Sequence, residues 1–157
     1  MFAYGMEKAG HEVVAFCEIE EWPRRVLRKH WPDVPIYEDV RELTGEQING
    51  PIDIITGGFP CQDLSTAGKQ AGITGDRSSL FHEIIRLSRE LRPRYVILEN
   101  VAALLTGDNG GWARTVFGEF AEIGFDAEWH VIPAGNPDGL SAGAPHRRER
   151  VWIVAYP

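Results

Sequence analysis

Short apolar runs alternate along this chain with polar breaks marked by glycine or proline, and the period of each run assigns its element. Residues 1–10 put Phe2, Met6 and Ala9 on one face at helical spacing and end at Gly10, which suits a left-handed cap. Residues 11–16 read as a strand that closes on the acidic cluster Cys17-Glu18-Ile19-Glu20-Glu21. A helix follows over residues 22–30, with Pro23 in its first turn. Pro32 and Pro35 then break the chain, so Ile36-Tyr37 form only a brief strand before Glu38-Asp39-Val40, and residues 44–47 are linker with at most one helical turn. Ile52-Asp53-Ile54-Ile55-Thr56 is a strand ended by Gly57-Gly58-Phe59-Pro60-Cys61-Gln62. Residues 80–91 carry Leu80, Ile84, Leu87 and Leu91 as one helical stripe. Strands are expected at residues 94–98, tipped by Glu99-Asn100, at 127–132 and at 151–156, with a helix over 112–123 ending at Gly124. Strand, polar tip and helix recur in turn, which predicts an α/β fold with a mostly parallel sheet.

The polar tips carry the candidate chemistry. A cysteine on a Gly-Gly-Phe-Pro turn at a strand end is displayed, because ligands of open α/β sheets gather outside the carboxyl ends of the strands. The other reading of Cys61 is a small hydrophobe packed in the core, which the flanking glycines and Gln62-Asp63 disfavour. Glu18 has two readings: a ligand for ribose hydroxyls, or part of an acidic cluster that suits the next helix N-terminus. Residues 64–79, rich in glycine and hydroxyl side chains with Lys69 and Arg77, read as a binding loop or lid beside Cys61, or else as a surface insertion. His146-Arg147-Arg148-Glu149-Arg150 is either a solvated charge run or a grip for phosphate or a planar base.

Composition narrows these options. At 157 residues the chain holds one domain with a sizeable core. A net charge of -7 excludes nucleic-acid binding through overall basicity, though not through a local basic groove. Two cysteines, Cys17 and Cys61, without metal-ligand spacing suit a reducing, cytoplasmic setting, and no metal site is expected. No apolar run approaches a membrane span. A thiolate nucleophile and a carboxylic acid facing one ligand suit covalent addition to a polarised ring, with Glu99 kept protonated by burial.

Three motifs stand in order: Gly57-Gly58-Phe59-Pro60-Cys61-Gln62 with Ser65, then Glu99-Asn100-Val101, then Pro145-His146-Arg147-Arg148-Glu149-Arg150-Val151. Together they resemble the ordered motifs of the DNA cytosine-5 methyltransferases over most of the chain. The resemblance implies a Rossmann-like three-layer methyltransferase sheet and transfer of a methyl group from S-adenosylmethionine to carbon 5 of a cytosine flipped out of double-stranded DNA. It implies that Cys61 attacks carbon 6 and that Glu99 holds and protonates ring nitrogen 3. Arg148 and Arg150 grip the base, and Asn100 braces the Pro-Cys turn. Glu18 binds the cofactor ribose with Ile19 against the adenine, Asp39 and Val40 meet the adenine edge, and Pro60 lines the methionine side. Ser65 and Arg77 match contacts to the DNA backbone, and restriction–modification is the implied setting.

The departures are as informative. Residues 2–10 match the helix after the family's first, glycine-rich motif, so a partial catalytic domain over 1–157 is expected, lacking the usual first and central strand. The target-recognition domain and the C-terminal helix of the family have no counterpart before Pro157. His146 stands for the usual Gln, residues 135–142 look longer than usual, and Asp76-Arg77-Ser78-Ser79 replaces a common Arg-Gly pairing. Two other classes stay open. One is a non-catalytic remnant, or a subunit completed by a second chain. The other is a hydrolase using Cys61 with one of the five histidines, which leaves Glu-Asn-Val and the arginine motif without a role.

Overall fold

The computed structural model describes residues 2–59, 80–135, 143–144 and 147–157. The chain divides into two compact units, Met1–Pro51 and Ile52–Pro157. The first unit contains helix α1 (Phe2–Lys8), strand β1 (Phe16–Cys17), helix α2 (Glu21–His30), strand β2 (Ile36–Tyr37) and a 3-10 turn at Gly45–Gln47. The chain leaves α1 through Gly10 at φ 88°, where the His11 amide donates to the Met6 carbonyl at 3.0 Å and caps the helix as its composition demands. Glu21 in the first turn of α2 and Arg28, Lys29 and His30 in the last complement the helix dipole. The Trp31 indole donates to Glu7 at 2.6 Å and packs on Phe16 at 5.3 Å, tying α1 and β1 to the end of α2.

Strands β1 and β2 pair in parallel, Phe16 with Ile36 and Cys17 with Tyr37. The strand expected at residues 11–16 therefore shrinks to its last residue and the next one. Its partner is short because Pro32 and Pro35 leave room for only two strand residues, and a strand extends no further than its ladder.

The second unit contains β3 (Ile54–Gly58), α3 (Leu80–Leu91), β4 (Tyr95–Val101), 3-10 turns at Ala102–Leu105 and Gly107–Gly110, α4 (Gly111–Glu122), β5 (Asp126–Ile132) and β6 (Arg150–Tyr156). Its four strands run in the order β3-β4-β6-β5. Only β3–β4 is parallel, since β6 lies antiparallel between β4 and β5, and the expected mostly parallel sheet is corrected to a mixed one. Alternating element types do not encode strand direction. The connection from β5 to β6 carries glycines and prolines instead of a helical pattern, so it cannot supply the helical crossover that a parallel neighbour commonly uses.

One face of this sheet forms the core. Val96 and Leu98 of β4 and Val151, Ile153 and Ala155 of β6 are fully buried at period two, against Phe81 and Ile85 of α3 and Val116 and Phe120 of α4. The buried stripe of α3 is thus centred on Phe81, Ile85, Leu87 and Ser88, about one residue round from the expected Leu80–Ile84 line. Ser88 is accommodated because its hydroxyl donates to the Ile84 carbonyl at 2.8 Å.

Between β4 and α4 the backbone takes left-handed angles at Asp108, Asn109 and Gly110. A Cβ built on Gly107 would lie 1.6 Å from two ring atoms of the buried Trp112. Gly107→Ala must displace that indole from the core. We expect a loss near or above the roughly 3 kcal/mol upper range of overpacking changes. In a chain of this size that lowers the melting midpoint by about 6–12 °C. An unchanged thermal melt would show that the Trp112 contact does not constrain position 107.

Candidate active site

The site-bearing end of the second unit is built where β3 and β4 finish. Gly58 pairs with Glu99 across this parallel interface, and a Cβ at Gly58 would meet the Glu99 backbone oxygen at 3.3 Å and its Oε2 at 3.6 Å. Glycine here lets the carboxylate lie close against the neighbouring strand. Contrary to the expectation of a polar tip beyond the strand, Glu99 and Asn100 lie within β4, because pairing with β6 continues through Val101 and Arg150. The alternation of the strand then sends the two side chains to opposite faces.

Arg150 opens β6 and stands diagonally across from Glu99, whose directly opposite residue is Trp152. Its Nε donates to Glu99 Oε1 at 2.7 Å, with the side chains 25% and 31% exposed. The burial expected for Glu99 is therefore partial, since the mouth of the strand pair leaves one side of the carboxylate to solvent. The Arg150 Nη1 group also donates to the Glu149 carbonyl at 2.9 Å, fixing the guanidinium.

Asn100 points into the core face and is 3% exposed. Its amide Nδ2 donates to the Phe59 carbonyl at 3.5 Å, while its Oδ1 accepts the Val101 backbone N–H at 2.8 Å. Phe59 is itself buried against Phe81 at 5.2 Å between centroids. The chain is thus clamped immediately before Pro60 and Cys61. Pro60, Cys61, Ser65 and Arg77 lie outside the described residues. Arg148 is exposed and holds a left-handed φ of 35°, an uncommon conformation for a residue with a Cβ. Next to it, the Arg147 carbonyl accepts from the backbone N–H of Ala134 at 2.6 Å, closing the base of the loop from β5.

In the first unit the expected cofactor residues follow the two short strands. The Glu18 amide donates to the Tyr37 carbonyl at 2.9 Å, carrying the parallel pairing one residue past β1. Its Oε1 accepts the Glu20 amide at 2.9 Å, so Glu18 also serves the start of α2. Ile19 is 61% exposed and free to meet an apolar ring. Val40 is half-buried beside Asp39. Hydrogen bonds from the Arg41 side chain and amide hold Asp39 well below the usual carboxylate range, at about 2. Asp39 is therefore ionised at physiological pH, and any stability it contributes is fully present above its ordinary value of 3.8 and is lost as the pH falls from there through about 2. Cys17, though exposed as a residue, has a thiol pushed up to about 11 by desolvation and then by the charges of Asp39 and Glu18. Both carboxylates thus act on one point at the end of β1. An exposed apolar side chain next to Glu18, with Glu18 and Asp39 both acting on the end of β1, suits a nucleoside with free ribose hydroxyls and an exocyclic amine. Arg41 was absent from the sequence reading, and only its position two residues after Asp39 hinted at it.

The geometry defines a mixed α/β unit with an acid–arginine pair set diagonally across β4 and β6. The whole chain, residues 1–157, matches the family of C-5 cytosine-specific DNA methylases, and it belongs to that family. It is 38% identical over 154 residues to type II methyltransferase M.NgoMIV of Neisseria gonorrhoeae, covering 98% of this chain and 47% of the relative. It is 35% identical over 155 residues to type II methyltransferase M.Eco47II of Escherichia coli, covering 98% and 36%. The chain thus spans less than half the length of these relatives. The fold matches S. pombe Dnmt2 methyltransferase with a TM-score of 0.71 at 17% identity, over 99% of this chain and 47% of that one. A mutant of Spodoptera frugiperda DNMT2 gives 0.71 at 21% identity, over 96% and 44%. These likenesses bear out the Rossmann-like methyltransferase fold expected from the motifs. Among the described residues, no helix is long and apolar enough to cross a membrane.

Proposed function

We propose that this chain is the catalytic part of a DNA (cytosine-5-)-methyltransferase, acting on a cytosine turned out of double-stranded DNA with S-adenosylmethionine as methyl donor. The observation that carries the reading is the Glu99–Arg150 pair beside Gly58, with Asn100 holding the Phe59 carbonyl two residues before Cys61. An acid and a cation paired at one strand mouth, with a cysteine two residues past the clamped Phe59 in sequence, fit addition to a ring that must be polarised first.

The Cys61 thiolate adds to carbon 6 of the cytosine and forms a C–S bond. The electrons of the carbon 5–carbon 6 double bond move onto carbon 5, because Glu99, which takes up a proton from solvent through its open side as the base binds, hydrogen-bonds to nitrogen 3 and passes that proton to it. Bound S-adenosylmethionine supplies an electrophilic methyl group, which carbon 5 takes, with S-adenosylhomocysteine as the other product. A base removes the proton from carbon 5, the double bond re-forms, the C–S bond breaks to release the Cys61 thiolate, and nitrogen 3 returns its proton to Glu99.

Arg150 orients Glu99 and, with Arg148, grips the cytosine, while Asn100 braces the Pro60–Cys61 turn. Glu18 accepts from the ribose hydroxyls, Ile19 lies against the adenine, Asp39 and Val40 meet its edge, and Pro60 flanks the methionine moiety. Ser65 and Arg77 contact the DNA backbone. The names of the type II relatives support a restriction–modification role, and the proposed location is the cytoplasm.

Trapping on duplex DNA containing 5-fluorocytosine tests this directly, because fluorine on carbon 5 cannot leave as a proton and the C–S bond persists. We expect a covalent protein–DNA adduct that requires S-adenosylmethionine. A folded chain that gives no adduct overturns the reading for this chain.

A further inference from the structure

Arg24 is the one charged residue among those buried in the described structure, at 8% exposure, whereas Arg25 beside it is exposed. It stands in the first turn of α2 and turns its guanidinium back toward β1. Nη1 donates to the Ile19 carbonyl at 2.9 Å and to the Glu18 carbonyl at 3.3 Å. Nε and Nη2 donate to Glu21 Oε2 at 3.2 and 2.8 Å, and Nη2 lies 3.5 Å from Glu38 Oε1. One planar fork thus touches the segment after β1, the start of α2 and the residue before Asp39.

We propose that Arg24 is a positioning residue for the cofactor: it fixes the Glu18–Ile19 backbone to the β2 tip, so that the carboxylate and apolar groups are held ready for the adenosine moiety. This rests on the reading of Glu18 and Ile19 as cofactor ligands. The carbonyls it holds lie between the last β1 pair and the first helical turn, where regular hydrogen bonding changes hands. A buried guanidinium offers five N–H donors in a fixed plane, which allows it to serve two carbonyls and two carboxylates together. A lysine, with a compact ammonium and a flexible stem, can retain the charge but not that simultaneous geometry. The pair with Glu21 is strong enough to lower the Glu21 pKa, chiefly through the Arg24 hydrogen bond. Glu21 therefore remains the counter-charge that keeps the guanidinium in place.

The test measures S-adenosylhomocysteine binding by calorimetry for the wild-type chain and for Arg24→Met, Arg24→Lys and Glu18→Ala. Thermal melts and the amide NMR signals of Glu18, Ile19 and Glu20 are recorded for the same proteins. Arg24→Met is expected to stay folded and bind about tenfold more weakly or worse. Its amide signals should shift at Glu18–Glu20, and Arg24→Lys should recover part of the affinity. A folded Arg24→Met that binds as the wild type does, while Glu18→Ala loses binding, overturns the positioning role and leaves the cofactor reading intact. If Arg24→Met does not fold, Arg24→Lys decides: unchanged affinity in that folded variant overturns the proposal. A folded wild type that takes up no S-adenosylhomocysteine removes the cofactor reading, and the role of Arg24 with it.

Discussion

Cys61→Ala is expected to abolish the covalent adduct with 5-fluorocytosine DNA, a loss on the order of 10⁴-fold or more in adduct formation, since no second nucleophile replaces the first. The chain contains one other thiol, Cys17, and it is a poor substitute. Desolvation and the flanking Asp39 and Glu18 charges push its pKa up to about 11. At pH 8 about one Cys17 side chain in a thousand is then a thiolate, and the thiolate is the reacting form. Cys17→Ser should therefore keep the adduct yield of the wild type. Electrophoresis of both variants after trapping, under denaturing conditions, reads the result directly. An adduct that survives Cys61→Ala and disappears in Cys17→Ser would reassign the nucleophile and undo the proposed chemistry.

Glu99→Gln should slow methyl transfer by about 10²–10⁴-fold, the usual worth of a positioned proton donor. The amide matches the carboxylate in shape and can still accept the Arg150 Nε–H that Glu99 Oε1 accepts at 2.7 Å. It has no acidic proton to pass to ring nitrogen 3. Stability should change little, because the pair is 25% and 31% exposed. Partly solvated ion pairs contribute at most about 1 kcal/mol. The melting midpoint should accordingly fall by no more than about 4 °C. Methyl transfer from labelled S-adenosylmethionine and a thermal melt on the same preparation separate the two effects. Wild-type turnover in Glu99→Gln would make the pair a structural tie. A much larger drop in melting temperature would attribute lost activity to unfolding.

Local pattern was enough for most of the elements. The first helix (Phe2–Lys8) with its Gly10 cap, the Ile36–Tyr37 strand, and the helices near 80–91 and 112–123 all depend on nearby residues, through hydrophobic period, proline breaks and glycine caps. Strand direction and strand length depend on the partner. Residues 11–16 carry a strand pattern, yet a strand of only two residues forms because β2 offers no more to pair with. Likewise Asn100 and Glu99 looked like a tip until β6 extended the ladder past them.

The site shows the same division. The order of Pro60-Cys61, Glu99-Asn100-Val101 and Arg148-Glu149-Arg150 is a property of the sequence, and it carried the resemblance to the family that the whole chain matches. What the sequence could not contain is the diagonal across β4 and β6 that sets Arg150 on Glu99, the absent Cβ at Gly58 that makes room for the carboxylate, or the buried fork of Arg24. Arg24 and Arg25 are indistinguishable as letters in one helical run; burial alone separates them. Residue types fix which bonds can form and which protons can move. Which groups meet is decided by register and by what the helices leave uncovered, and these exist only once the chain has folded.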